Sequence, residues 1–110
     1  MDKIQIIKPV VEFAQANHGK VPMAVATGGT RHVATKTLQQ LGLYDLFDTM
    51  VTADDVENGK PDPEVFLKAA QYLNVAPELC VAFEDAVPGI LSAQAAGMKV
   101  VRIPSPMTLQ

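Results

Sequence analysis

The chain has 110 residues and a mass of 11.8 kDa, with 48% apolar and 19% charged residues and a formal net charge of −3. That is the balance of a single globular domain, with room for one core but not two, and it excludes an intrinsically disordered chain. The Lys and Arg residues are scattered singly, which gives no pull toward nucleic acid or an anionic membrane. One cysteine rules out an intrachain disulfide, and no apolar run or leader-like start suggests a membrane or export route, so the expected location is cytoplasmic.

Helical and strand signals alternate along the chain, as parallel βα units require. Residues 9–17 read as a short helix, with Pro9 in its first turn and Val10, Phe13 and Ala14 on one side. His18-Gly19-Lys20 breaks it. Residues 22–27 form a mostly apolar run suited to a strand covered on both faces, ending at Gly28-Gly29. Thr30 can cap a helix over about 31–41 that turns Val33, Leu38 and Leu41 inward, with Gly42 as its stop. A brief strand follows at 49–53.

Asp62-Pro63 is a helix start, a capping side chain followed by a proline whose fixed φ suits the first turn. The helix should run to about Leu73 and bury Phe66, Ala69, Ala70 and Leu73. Residues 79–83 read as strand with Cys80 as a buried, inert thiol. Residues 87–96 are helix with Gly97 as a left-handed stop, and 98–103 a last strand. Residues 104–110 read as a loose tail. The order is α-β-α-β-α-β-α-β, an α/β fold of about four or five short parallel strands with flanking helices.

Ligands in such sheets meet the carboxyl ends of the strands. At the first of these, Thr27-Gly28-Gly29-Thr30 joins a strand to a helix amino terminus. Backbone N–H groups and hydroxyls there suit a phosphate, although an ordinary capped βα turn would look the same. Lys60 precedes Pro61-Asp62-Pro63, and the prolines stiffen the loop enough to aim a charge; a solvated lysine is the alternative. Glu84-Asp85 follows a buried strand and suits a hard, oxygen-seeking cation such as Mg²⁺, unless Asp85 merely caps the next helix. Asp54-Asp55 reads as turn and cap chemistry. His18 and His32 have no companion at metal-ligand spacing and read as surface residues.

The order and spacing of these features are more specific than any one of them. Thr27 after a strand, Lys60 before Pro-x-Pro and Glu84-Asp85 after a later strand resemble the haloacid dehalogenase-like hydrolases. The resemblance also runs through Leu41–Asp48, Ala53–Val56, Gly59–Phe66, Val81–Gly89 and Ala95–Met98. It covers roughly residues 9–103 and is strongest toward β-phosphoglucomutases and fructose-1-phosphate-type phosphatases. It implies a three-layer Rossmann-like core. It also implies that Thr27 and the Gly28 amide bind phosphate, that Lys60 neutralises the phosphoryl group, and that Asp85, with Glu84, ligates Mg²⁺.

The family's first strand ends in Asp-x-Asp-x-Thr and carries the nucleophile and the acid/base. These 110 residues contain no such sequence, and no helical cap follows one. The expectation is therefore a partial core, inactive alone, with a residual phosphate and Mg²⁺ half-site for phosphate or a small phosphorylated metabolite. The alternatives are an interaction module that dimerises through open strand edges, or a half-enzyme completed by another chain. The missing strand would lie between those ending at Thr27 and Phe83 and leave two unpaired edges. Three repairs are conceivable: direct pairing of those strands, a strand from a partner, or Ile4-Gln5-Ile6-Ile7 as a replacement strand within a linker over 1–8.

Overall fold

The computed structural model describes residues 8–103, with side chains from Glu12 onward. Its elements alternate as the patterning requires: α1 (Lys8–Asn17), β1 (Ala24–Ala26), α2 (Arg31–Gln40), β2 (Thr49–Val51), α3 (Glu64–Leu73), β3 (Val81–Glu84), α4 (Val87–Ala95) and β4 (Lys99–Arg102). Short 3-10 turns sit at Tyr44–Leu46, Ala53–Asp55 and Pro77–Leu79. Both strand pairings are parallel, Ala24–Ala26 on Thr49–Val51 and Val81–Glu84 on Lys99–Arg102.

The strands do not make one continuous sheet. Among the described residues β1 pairs only with β2, and β3 only with β4. Direct pairing of β1 with β3, one of the three repairs considered, does not occur. Residues 4–7, expected as a replacement strand, and 104–110, expected as a loose tail, lie outside the described residues.

The β1–β2 sheet has apolar neighbours on both faces, which suits the apolar residues Ala24–Ala26 and Met50–Val51. Val25 and Met50 turn toward Ala34 and Leu38 of α2, with Leu43 and Phe47 beside them. Ala24, Ala26 and Val51 turn the other way, toward Val65, Phe66 and Ala69 of α3. The same cluster takes in Ala82 and Val100 from the second sheet, Ala93 of α4 and Ala96 just past its end. One core thus joins two small sheets. The opposite face of the second sheet is sparsely covered: Val81 and Val101 are exposed, and Phe83 meets Phe13 of α1 at a ring separation of 5.2 Å.

Several local expectations shift by a residue or a face. In α2 the buried positions are Ala34 and Leu38; Val33 is only half-buried and Leu41 is exposed. In α1 Ala14 is buried while Phe13 is 45% exposed, and the Val10 side chain lies outside the described residues. Leu73 is half-buried, and Val65 joins the core in its place. The strand expected at 79–83 begins at Val81, because Pro77 opens a 3-10 turn whose last residue is Leu79. Cys80 therefore precedes β3 and is only half-buried. Burial, with the charge of Glu78, still raises its thiol pKa, so it stays the unreactive form.

Candidate functional site

The carboxyl ends of β1, β2 and β3 carry the candidate residues, each set by its own local chemistry. After β1 the chain turns through Thr27 to Thr30. Thr27 Oγ1 accepts a hydrogen bond from the Gly29 N–H at 3.1 Å, which leaves the hydroxyl proton free to point elsewhere. Thr30 caps α2 as its sequence suggests, its Oγ1 accepting from Val33 N at 3.3 Å.

The segment after β2 braces this turn. Asp54 Oδ2 accepts from Arg31 N at 2.8 Å, placing a negative charge at the amino end of α2, where the helix dipole favours it. Ala53 N donates to Gly29 O at 2.9 Å. Asp55 closes a capping box with buried Thr52, and its Oδ2 also accepts from Arg31 Nη2 at 2.6 Å. Burial pushes the Asp55 carboxyl upward, but the Thr52 amide and the Arg31 guanidinium outweigh it and hold the group below its ordinary value. Asp54 and Asp55 are thus structural, as turn and cap chemistry predicts.

Lys60 enters from the loop between β2 and α3, and three carboxyl or hydroxyl contacts fix that loop. The Glu64 carboxylate receives the N–H groups of Asn58 and Glu57, which lower its pKa. Asp62 Oδ1 accepts from Glu64 N at 2.9 Å, the bond expected of a capping Asp, although Pro63 is the residue at the helix boundary. Buried Ser92 of α4 donates from Oγ to Asp62 O at 2.6 Å.

Held this way, Lys60 Nζ reaches the ends of both sheets. It donates to Ala26 O of β1 at 3.4 Å and to Glu84 Oε2 of β3 at 2.7 Å, and it lies 5.3 Å from the centre of the Phe66 ring. The Lys60 and Glu84 side chains are only 21% and 11% exposed. Thr27, Gly28 and Lys60 line one pocket of about 200 Å³, with Ala53, Val56, Glu57, Gly59 and Val65 as its other walls. The structure therefore brings the three candidate phosphate ligands to one place.

Glu84 and Asp85 stand otherwise. Glu84 Oε2 is engaged by Lys60, and the capping position of α4 belongs to Ala86, which makes no side-chain capping bond. The capping alternative for Asp85 is thereby removed. Among the described residues no three His, Cys, Asp or Glu side chains gather closely enough to hold a metal ion. Two adjacent carboxylates, one already paired with a lysine, do not by themselves complete an octahedral Mg²⁺ site. His32 is exposed, and His18 Nδ1 lies 3.1 Å from Leu46 O. No described helix is long and apolar enough to cross a membrane.

Sequence reasoning did not anticipate the contributions of Ala26 O, Phe66, Glu64 and Ser92. Each is an ordinary strand, core or cap residue by pattern, and only its distance from the Lys60 loop gives it a further part.

Comparison with known proteins places this arrangement. A profile of haloacid dehalogenase-like hydrolases matches residues 1–97. The chain is 46% identical over 95 residues to the fructose-1-phosphate phosphatase YqaB of Escherichia coli, covering 86% of this chain and 50% of that protein. It is 39% identical over 93 residues to a phosphorylated carbohydrates phosphatase of Thermotoga maritima, covering 84% and 42%. Among solved structures, β-phosphoglucomutase from Clostridium difficile superposes with a TM-score of 0.75 at 29% identity, covering 93% of this chain and 44% of that one. The chain spans about half the length of the curated relatives it matches.

Proposed function

The chain belongs to the haloacid dehalogenase-like hydrolase family, and from that premise we propose that it forms the phosphate-holding half of a sugar-phosphate phosphatase site. The observation that carries this reading is the position of Lys60, spanning the ends of β1 and β3 beside Thr27 and Gly28.

The three groups have complementary tasks. The Thr27 hydroxyl, already accepting from Gly29, donates its proton to a phosphate oxygen. The Gly28 N–H is a second donor, with no side chain to keep the phosphate at a distance. Lys60 supplies positive charge from a fixed loop, so negative charge gathering on the transferred group meets a preorganised cation. Such a site positions and stabilises a phosphoryl group. It does not cleave one, because cleavage needs a nucleophile, and these 110 residues contain no Asp-x-Asp-x-Thr. Magnesium, which phosphatases of this family generally use, would be held by Asp85 together with oxygens from the segment that bears Asp-x-Asp-x-Thr.

A thermal-shift titration with inorganic phosphate and orthovanadate, beside a hydrolysis assay on fructose 1-phosphate, tests the reading. The 110-residue chain should be stabilised by the anions yet fail to hydrolyse the ester. It should gain hydrolysis when a segment bearing Asp-x-Asp-x-Thr is added. Hydrolysis by the chain alone, lost in Lys60→Met, would show that the site is complete without that segment and sink the proposal.

The separation of the two sheets supports a second reading, an interaction module in which a strand from another copy or another protein enters between β1 and β3. Light scattering separates the two: a concentration-dependent dimer without anion binding favours the module.

A further inference from the structure

We propose that Gly89 is a positioning residue for Lys60, acting through the Glu84 carboxylate; the proposal rests on the reading of Lys60 as the phosphate's counter-charge. Gly89 lies inside α4 and is buried. Glycine is a poor helix former, because its backbone loses the most freedom on ordering, so its place there needs a reason. At Gly19, Gly42 and Gly97 the reason is a positive φ, and an added Cβ would meet nothing within 4 Å. Gly89 has no positive φ. What it has is a neighbour: an added Cβ would overlap Cδ and both carboxylate oxygens of Glu84, Oε1 most severely.

The overlapping atoms are the end of a side chain, not backbone. A methyl group at position 89 therefore displaces the carboxylate and leaves the strand and helix in place. That same carboxylate holds Lys60 Nζ at 2.7 Å through Oε2. One turn further along α4, Ser92 grips Asp62 O in the loop that carries Lys60. The helix and the loop are thus tied together through Ser92, and the Glu84 carboxylate lies between Gly89 and the lysine. Absence of a side chain at Gly89 decides where that carboxylate rests, and hence where the lysine charge points.

The test is a double-mutant cycle on the 110-residue chain with labelled lysine, comparing wild type, Gly89→Ala, Glu84→Asp and the double variant. Gly89→Ala should keep a native amide spectrum while shifting the Lys60 ε-carbon signal and changing the rate at which its amine is reductively methylated. Inorganic phosphate should bind roughly tenfold more weakly, the scale of losing an outer supporting group at a ligand site. In the Glu84→Asp background the same change should do little, because the shorter carboxylate no longer reaches the new methyl group. A folded Gly89→Ala variant whose Lys60 signal and methylation rate match wild type overturns the proposal. Where Gly89→Ala unfolds, recovery in the double variant supports it and continued unfolding overturns it. If Lys60 responds as described but phosphate binds no variant, including wild type, positioning stands and the phosphate reading falls.

Discussion

Lys60 and Glu84 form an ion pair of 2.7 Å between a loop and the end of β3, and the same Nζ touches Ala26 O at the end of β1. One side chain thus spans two sheets that share no backbone hydrogen bond among the described residues. The pair is mostly shielded from water, so its two members depend on each other. Removing one partner leaves the other poorly solvated, a penalty that usually exceeds the attraction itself.

Lys60→Met should therefore destabilise the chain by about 1–3 kcal/mol, the cost of stranding a shielded polar partner. Adding Glu84→Gln should return part of that loss by removing the orphaned charge. Urea unfolding of the two variants measures it; a Lys60→Met chain as stable as wild type would mean the pair contributes nothing.

Thr27→Val should separate binding from stability. The hydroxyl accepts only the Gly29 amide within the turn, so unfolding should change by less than about 1 kcal/mol. The rise in melting temperature produced by inorganic phosphate should disappear, since that rise measures binding to the folded state. Undiminished protection would remove Thr27 from the site.

Ser92→Ala should cost about 1 kcal/mol, because it removes the bond that the buried Ser92 hydroxyl donates to the half-buried Asp62 carbonyl. Hydrogen exchange of the amides from Glu57 to Asp62 should quicken at the same time. A stable variant with unchanged exchange would show that Ser92 does not anchor the Lys60 loop.

Asp55→Asn should lower stability at neutral pH by about 1 kcal/mol, a value kept small because Arg31 is 47% exposed and its attraction is screened. The sign follows from the direction of the shift. The folded carboxyl has a lowered pKa, so its contribution is present above the unfolded value near 4 and is lost as pH falls through the folded pKa. The gap between wild type and variant should therefore close on acidification. A gap that is constant down to pH 2 would show that the charge is not what stabilises the turn.

Much of this was legible in one dimension. The alternation of elements, the Thr30 cap, the Asp62 bond at the start of α3 and the left-handed stops at Gly42 and Gly97 all stand where local chemistry puts them. These are contacts between residues close in sequence, so pattern suffices. On α2 the inward Leu38 stands where the pattern puts it, but Ala34 takes the buried place expected of Val33 and Leu41 is exposed, because only the sheet behind the helix chooses among them. The part played by Glu84 was open for the same reason: a carboxylate after a strand suits a cation, but nothing local says whether that cation is a metal or a lysine.

Residue order by itself determined the parallel α/β class, the family resemblance and the three phosphate candidates, because periodicity, caps and motif spacing are properties of short stretches of chain. Only the tertiary structure decided that Lys60 reaches Glu84 and Ala26, that Ser92 grips its loop, and that Gly89 leaves room for the carboxylate. The three hydrogen bonds join residues 24 to 34 positions apart, and the Gly89 limit acts on a partner in one of them. Their energies fall off within a few ångströms, so they exist only once packing has brought the segments together.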